Sequence, residues 1–257
     1  MPTFSQGQKG AQILEASLAT INELLYLSPL AVLNPDKPIR GGIPLMFPQF
    51  GDFGPLSKHG FARDMDWILV DAVHEGHIKR AAHELRIGST DLLEWPHAAA
   101  LQFVVLTDEN GIGLDFSVTN TGDSPFSFTG GFHPYFRISS RADVEIKGFE
   151  SLSHKDSFPG DDAYLLQSDK LVERQYLGNS EVNLFNGTAW LKLVATGFDS
   201  WMVWNPGREG ARKISDLPDE DWDKFICVEP IVLSNPIQLE HGKTINFRLQ
   251  ISLQNVL

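Results

Sequence analysis

Residues 101–118 read LQFVVLTDENGIGLDFSV, and their pattern decides the fold class. Leu101, Phe103 and Val105 alternate with less apolar neighbours, and Leu114, Phe116 and Val118 mirror them. Between the two runs sits Asp108-Glu109-Asn110-Gly111, and Asn-Gly is a strong signal for a tight hairpin because both residues tolerate positive φ. Period-two patterning on both sides of such a turn predicts two antiparallel strands.

Further runs extend the pattern both ways. Towards the N-terminus, Trp67 to Val73 and Ile78 to Ile87 read as strands. Towards the C-terminus, Phe126 and Phe128 continue the meander after a turn at 120–125. Val144-Ile146, Glu181 to Phe185, Trp190 to Thr196, Trp201 to Trp204 and Phe225 to Val228 follow. Ile245, Phe247, Leu249, Ile251 and Leu253 form a clear last strand. Residues 11–27 read as two short strands joined near Thr20-Ile21, and residues 1–10 as a polar, frayed end. Residues 205–224 form a Pro/Gly/Asp-rich excursion with one helical turn around Arg208 to Ile214. Regular βαβ alternation, repeats and linkers are absent. The expectation is an all-β chain, a large antiparallel β-sandwich forming one domain over residues 1–257.

The longest interruption is RGGIPLMFPQFGDFGPLSKHGFAR, residues 40–63. Five glycines and three prolines leave no helical or strand period. Phe47, Phe50, Phe53 and Phe61 call for burial, so the stretch reads as an ordered functional loop. It presents Arg40, Lys58, His59 and Arg63, a set suited to an anionic group on a small ligand.

Composition narrows the function. The net charge is −12, which counts against general binding to nucleic acid or anionic membranes. One cysteine, Cys227, permits no internal disulfide and suits a reducing compartment. Neither a signal peptide nor an apolar run of membrane-spanning length is visible, so the cytoplasm is the expected location.

Three residues carry the strongest chemical signals. His59 lies between cations and beside Gly60; the competing reading is a surface histidine in a turn. His133 sits where an apolar strand ends in Gly130-Gly131 and meets Pro134, with Phe132, Tyr135 and Phe136 as a low-dielectric wall. It reads equally as a core histidine. Glu229 follows Phe225-Ile226-Cys227-Val228 and reads as an arginine's partner or as a general base. Glu173 and Asp199 are weaker hydroxyl-binding candidates. Asp161-Asp162, Asp216 and the acids of 219–223 read as solvated. His59, His133 and Glu229 lack the short spacing of a metal motif, so neither metal nor cofactor is predicted.

RGGIPLMFPQFG with KHGFAR, then GGFHPYF, then VWNPG with FICVEP, together resemble the glucose-6-phosphate 1-epimerases. These are hexose-6-phosphate mutarotases of the aldose 1-epimerase superfamily, and the resemblance runs from about Glu23 to the C-terminus. It implies the galactose mutarotase-like sandwich and interconversion of the α and β anomers of an aldohexose 6-phosphate, glucose 6-phosphate first. It implies His133 and Glu229 as the acid–base pair and Arg40, His59 and Arg63 as binders of the sugar phosphate. The mechanism it implies has Glu229 as carboxylate and His133 as imidazolium. Three positions depart from the family pattern: Lys58 in place of glutamine, Glu173 in place of aspartate, and Pro134 after the histidine. Rival readings are a non-catalytic carbohydrate-binding sandwich, an aldose 1-epimerase for unphosphorylated hexoses, and a metal-dependent cupin-like isomerase.

Overall fold

The computed structural model describes residues 1–31, 38–156, 166–179 and 181–254. Seventeen strands run through the described residues. They are β1 (Thr3–Gln6), β2 (Ile13–Ser17), β3 (Leu45–Met46), β4 (Ile68–Glu75), β5 (Ile78–Ile87) and β6 (Ala99–Asp108). Then come β7 (Gly111–Asn120), β8 (Phe126–Phe132), β9 (Tyr135–Arg137), β10 (Glu145–Lys147), β11 (His154–Asp156) and β12 (Val172–Leu177). The last are β13 (Val182–Phe185), β14 (Trp190–Thr196), β15 (Ser200–Asn205), β16 (Phe225–Leu239) and β17 (Thr244–Leu253).

One antiparallel sheet has the order β10-β13-β14-β17-β7-β6-β5-β4. A second runs β11-β12-β15-β16-β8-β3, with β9 also paired to β16, and β1 and β2 form a two-stranded sheet of their own. The Asn110-Gly111 signal is borne out: Asp108 pairs with Gly111, and the register holds to Ala99–Asn120. The alternating apolar residues of the two large sheets meet between them. Phe103 and Phe116 of one sheet contact Phe132 of the other, and Phe247 contacts Phe128. This is the expected β-sandwich. No helix among the described residues is long and apolar enough to cross a membrane.

Several local expectations change. Residues 1–10 are not frayed, because β1 pairs with β2 from Thr3–Ser17 to Gln6–Ile13 and buries Phe4. β12 breaks the apolar alternation of a strand, because a charged residue, Arg174, is buried at its centre. The 205–224 excursion holds a five-residue helix, Gly207–Ala211, and a 3-10 turn, Asp219–Lys224. Its acids are structural as well as solvated. Asp221 is buried and accepts from the Tyr26 hydroxyl at 2.7 Å, and Asp223 accepts from the Arg141 amide at 2.8 Å. Asp161 and Asp162 lie outside the described residues.

The 40–63 loop is ordered as expected, and its aromatics divide the work. Phe47 and Phe50 are buried and Phe61 half-buried, whereas Phe53 is 60% exposed and stacks on Phe50. Gln49 stitches the loop's outer turn, donating to Gly51 and Leu56 carbonyls at 3.0 Å each and accepting from the Leu56 amide at 2.9 Å.

Candidate active site

The site rests on β16 and on a break in its neighbour. β8 ends at Phe132 and β9 begins at Tyr135, and both pair with β16 in one continuous register. Ile231 faces Gly131, and Cys227 faces Tyr135. The interrupted positions, His133 and Pro134, therefore stand beside Glu229. Pro134 brings no backbone N–H to a ladder, which suits it to this gap. The freed backbone is taken up by the loop instead: the His133 amide donates to the Pro44 carbonyl at 3.0 Å, and the Tyr135 amide to Gly42 at 2.9 Å.

Across β16, Met202 pairs with Glu229, and Trp204 pairs with Cys227 and with Glu173 of β12. Paired residues share a face, and so do residues two apart along a strand. Two adjacent rows of side chains thus point the same way, one carrying His133, Glu229 and Met202 and the other Tyr135, Cys227, Trp204 and Glu173. The loop closes over these rows. The resulting cleft, of about 240 Å³, is lined by Arg40, Lys58, His59, Arg63, His133, Glu173 and Glu229. All seven predicted site residues meet in one cavity.

The cationic wall is held by partners in the cleft and by Asp216 outside it. Arg40 donates to Asp216 and to the Tyr135 hydroxyl, each at 3.2 Å. Arg63 donates to the Lys58 carbonyl at 2.8 Å. The buried Arg63 Nε has no hydrogen-bond partner, and Asp64 lies 3.8 Å from it. Arg40, Lys58 and Arg63 together give the cleft a cationic wall suited to an anionic ligand. Lys58 is exposed and pairs with Asp52 at 3.3 Å.

His59 is fixed in an uncommon backbone state, φ 68°. Gly60 follows at φ 70°, and a Cβ there would collide with the Phe47 carbonyl, so only glycine fits. The His59 amide donates to Gly51 at 2.9 Å, and its Nδ1 accepts from the Gly51 amide at 3.1 Å. Nδ1 as acceptor places the ring proton on Nε2. Burial, with Arg63, Lys58 and Arg40 nearby, pushes the imidazole pKa down to about 2, so His59 is neutral.

His133 and Glu229 form the buried centre. His133 Nδ1 lies 3.4 Å from Glu229 Oε1, and neither His133 Nδ1 nor Glu229 Oε2 has a hydrogen-bond partner. His133 stacks on Tyr135, with ring centres 4.7 Å apart, and meets Trp204 edge-on. Burial drives His133 well below the usual histidine range, helped by His59, Arg40 and Arg63. Burial also drives Glu229 well above the usual carboxylate range, with Glu173 adding to it. The site therefore favours a carboxylic acid beside a neutral imidazole, not the implied carboxylate and imidazolium. Both distributions hold one proton, so one transfer between the two residues interconverts them.

The wall around His133 differs from expectation. Tyr135 stands against the ring as expected, but Phe132 and Phe136 turn into the core and Trp204 supplies the other side. Asp216, read as solvated, is a half-buried partner of Arg40. Asp199 does not line the cleft. It accepts from the Leu233 and Asn235 amides at 3.1 and 2.7 Å and shapes the irregular part of β16. Trp204 and Met202 lie in the run read as a strand, but only its pairing with β16 places them beside Glu229. Asp216 carried no readable signal.

The family model described as aldose 1-epimerase matches residues 7–252. A Cenchrus ciliaris protein named "Putative glucose-6-phosphate 1-epimerase" is 31% identical, over 95% of this chain and 79% of its own length. An Escherichia coli K12 protein of the same name is 26% identical, over 86% of this chain and 76% of its own. In fold, the chain matches the crystal structure of a Salmonella typhimurium protein titled a "putative mutarotase". The TM-score is 0.81 at 21% identity, covering 98% of this chain and 88% of that one. The chain belongs to the aldose 1-epimerase family, the isomerases that include the mutarotases.

Proposed function

We propose that this epimerase interconverts the α and β anomers of an aldohexose 6-phosphate, glucose 6-phosphate first. The observation that carries the substrate class is the clustering of Arg40, Lys58 and Arg63 in the same cleft as His133 and Glu229. A neutral hexose needs no such cluster. The names of the Cenchrus and Escherichia relatives agree with this reading.

In the reaction, Glu229 takes the proton of the C1 hydroxyl and His133 gives one to the ring oxygen. The C1–O5 bond breaks, leaving an open-chain aldehyde with a C5 hydroxyl. Rotation about C1–C2 presents the other carbonyl face. The C5 oxygen then attacks C1, returning its proton to His133, while Glu229 protonates the new C1 alkoxide. Protons and electrons balance without an outside donor. Each positioned acid or base contributes about 10² to 10⁴-fold. His59, neutral with its proton on Nε2, offers a hydrogen bond without competing as a base. The phosphate anchors the sugar away from C1 and fixes its orientation. Its negative charge also cancels the field of Arg40 and Arg63 at His133, which favours the imidazolium that burial resists.

The test is anomer exchange of glucose 6-phosphate by magnetisation-transfer NMR. Wild type should exceed the spontaneous rate and Glu229→Gln should not. Exchange at the spontaneous rate in both would sink the assignment. If Arg40→Ala and Arg63→Ala leave activity on free hexoses intact while lowering it on the phosphate, the phosphate reading stands. Equal losses on both substrates would refute it.

A further inference from the structure

Cys227 is fully buried and has no part in the reaction above. It precedes Glu229 by two residues on β16 and faces Tyr135 across the ladder. Its thiol, the His133 imidazole and the Glu229 carboxyl each place one donor atom within 4.8 Å of the other two. We propose that these three side chains form an inhibitory site for a thiophilic divalent metal of the zinc class, which on binding withdraws the acid–base pair from the sugar.

Geometry, donor type and charge support this independently. His133 Nδ1 and Glu229 Oε1 stand 3.4 Å apart, long for a hydrogen bond. A tetrahedral ion with nitrogen and oxygen ligands at about 2.0–2.1 Å separates them by about 3.3–3.4 Å. The sulfur, bound at about 2.3 Å, has to close no more than about 1.2 Å, within reach of a side-chain adjustment. His133 Nδ1 and Glu229 Oε2 are buried polar atoms without partners. Thiolate, imidazole and carboxylate together select zinc-like ions over magnesium or calcium, which prefer oxygen alone. Thiolate and carboxylate also cancel a 2+ charge, so the filled site adds no net charge beside Arg40 and Arg63. Binding displaces the thiol proton and any proton on Glu229 to solvent.

Metal binding here stands on the geometry alone; only its inhibitory effect rests on the epimerase reading. The test titrates the full-length protein with Co²⁺ and follows near-ultraviolet absorption. Thiolate-to-cobalt charge transfer reports this site uniquely, because Cys227 is the chain's only cysteine. The expected result is a band that saturates at one equivalent, is bleached by Zn²⁺ and is absent in Cys227→Ser. Glu229→Gln, which keeps the side-chain shape, should weaken Co²⁺ at least about tenfold while keeping the band. In parallel, Zn²⁺ should suppress glucose 6-phosphate exchange, EDTA should restore it, and Cys227→Ser should keep wild-type exchange without Zn²⁺ and resist the metal. No thiolate band in folded wild type overturns the site. A band with exchange unaffected by Zn²⁺ overturns the inhibition. If wild type shows no metal-free exchange at all, the epimerase reading fails while the band still decides the site.

Discussion

His59 makes a measurable demand on the fold. In an unfolded chain its imidazole titrates near the usual 6.5, and in the cleft it is pushed down to about 2. Between these values the unfolded state binds one more proton than the folded state. Stability from this residue is therefore complete above pH 6.5 and falls as the pH drops below it. Linkage puts the loss at about 2 kcal/mol between pH 8 and pH 5. That is a large share of a typical domain stability of about 5–15 kcal/mol. His133 is shifted the same way and steepens the wild-type dependence. His59→Asn tests the claim, since Asn tolerates the left-handed backbone and does not titrate. Its absolute stability should drop from the lost Gly51 contact, so the readout is the slope. Urea unfolding at pH 5, 6, 7 and 8 should show the variant losing about 2 kcal/mol less than wild type across that range. Equal slopes would mean that His59 is charged in the native cleft, and its role as a neutral donor would fall.

Glu229→Gln should lower anomer exchange by about 10² to 10⁴-fold. Because the folded pKa of Glu229 is raised, its burial costs stability as the pH rises above the usual carboxylate value, so the same variant should be at least as stable as wild type by urea unfolding at pH 8. Arg63→Ala should reduce kcat/KM for glucose 6-phosphate about tenfold to a hundredfold, mainly through KM, as steady-state kinetics will show. Gly60→Ala should cost about 2 kcal/mol or more, read as a lowered urea midpoint, since it meets both the positive φ and the Phe47 carbonyl. The pH profile of kcat should lie to higher pH than that of kcat/KM, because bound phosphate favours protonation of His133.

Much of this was legible in the sequence because the signals were local. Asn110-Gly111 fixed a hairpin, and β5 and β14 run over the residues their apolar patterns mark. Six of the seven site residues were legible by type: Arg40, Lys58, His59 and Arg63 in a loop too aromatic to be disordered, and a histidine and a glutamate each followed by proline. What escaped depended on distant partners. β1 reads as polar because only Phe4 turns inward, and only its pairing with β2 makes it a strand. Arg174 disguised β12. Asp216 looks like any loop acid until Arg40 lies against it. The protonation of His133 and Glu229 is set by burial, which no spacing announces.

The supports of the cationic wall also carry a timetable. Tyr26 to Asp221 spans 195 residues, Ser28 to Asp216 spans 188, and Arg40 to Asp216 spans 176. The β4–β7 meander closes through near neighbours, whereas these clasps join opposite ends of the chain. Loop-closure entropy makes such contacts slow to form. The anion-holding wall is then among the last parts to assemble, after the sheets that carry His133 and Glu229. A nascent chain lacking residues beyond about 210 would hold Arg40 without its clasp. A ligand that grips the wall binds only the finished fold, so it should slow unfolding and leave the folding rate nearly untouched.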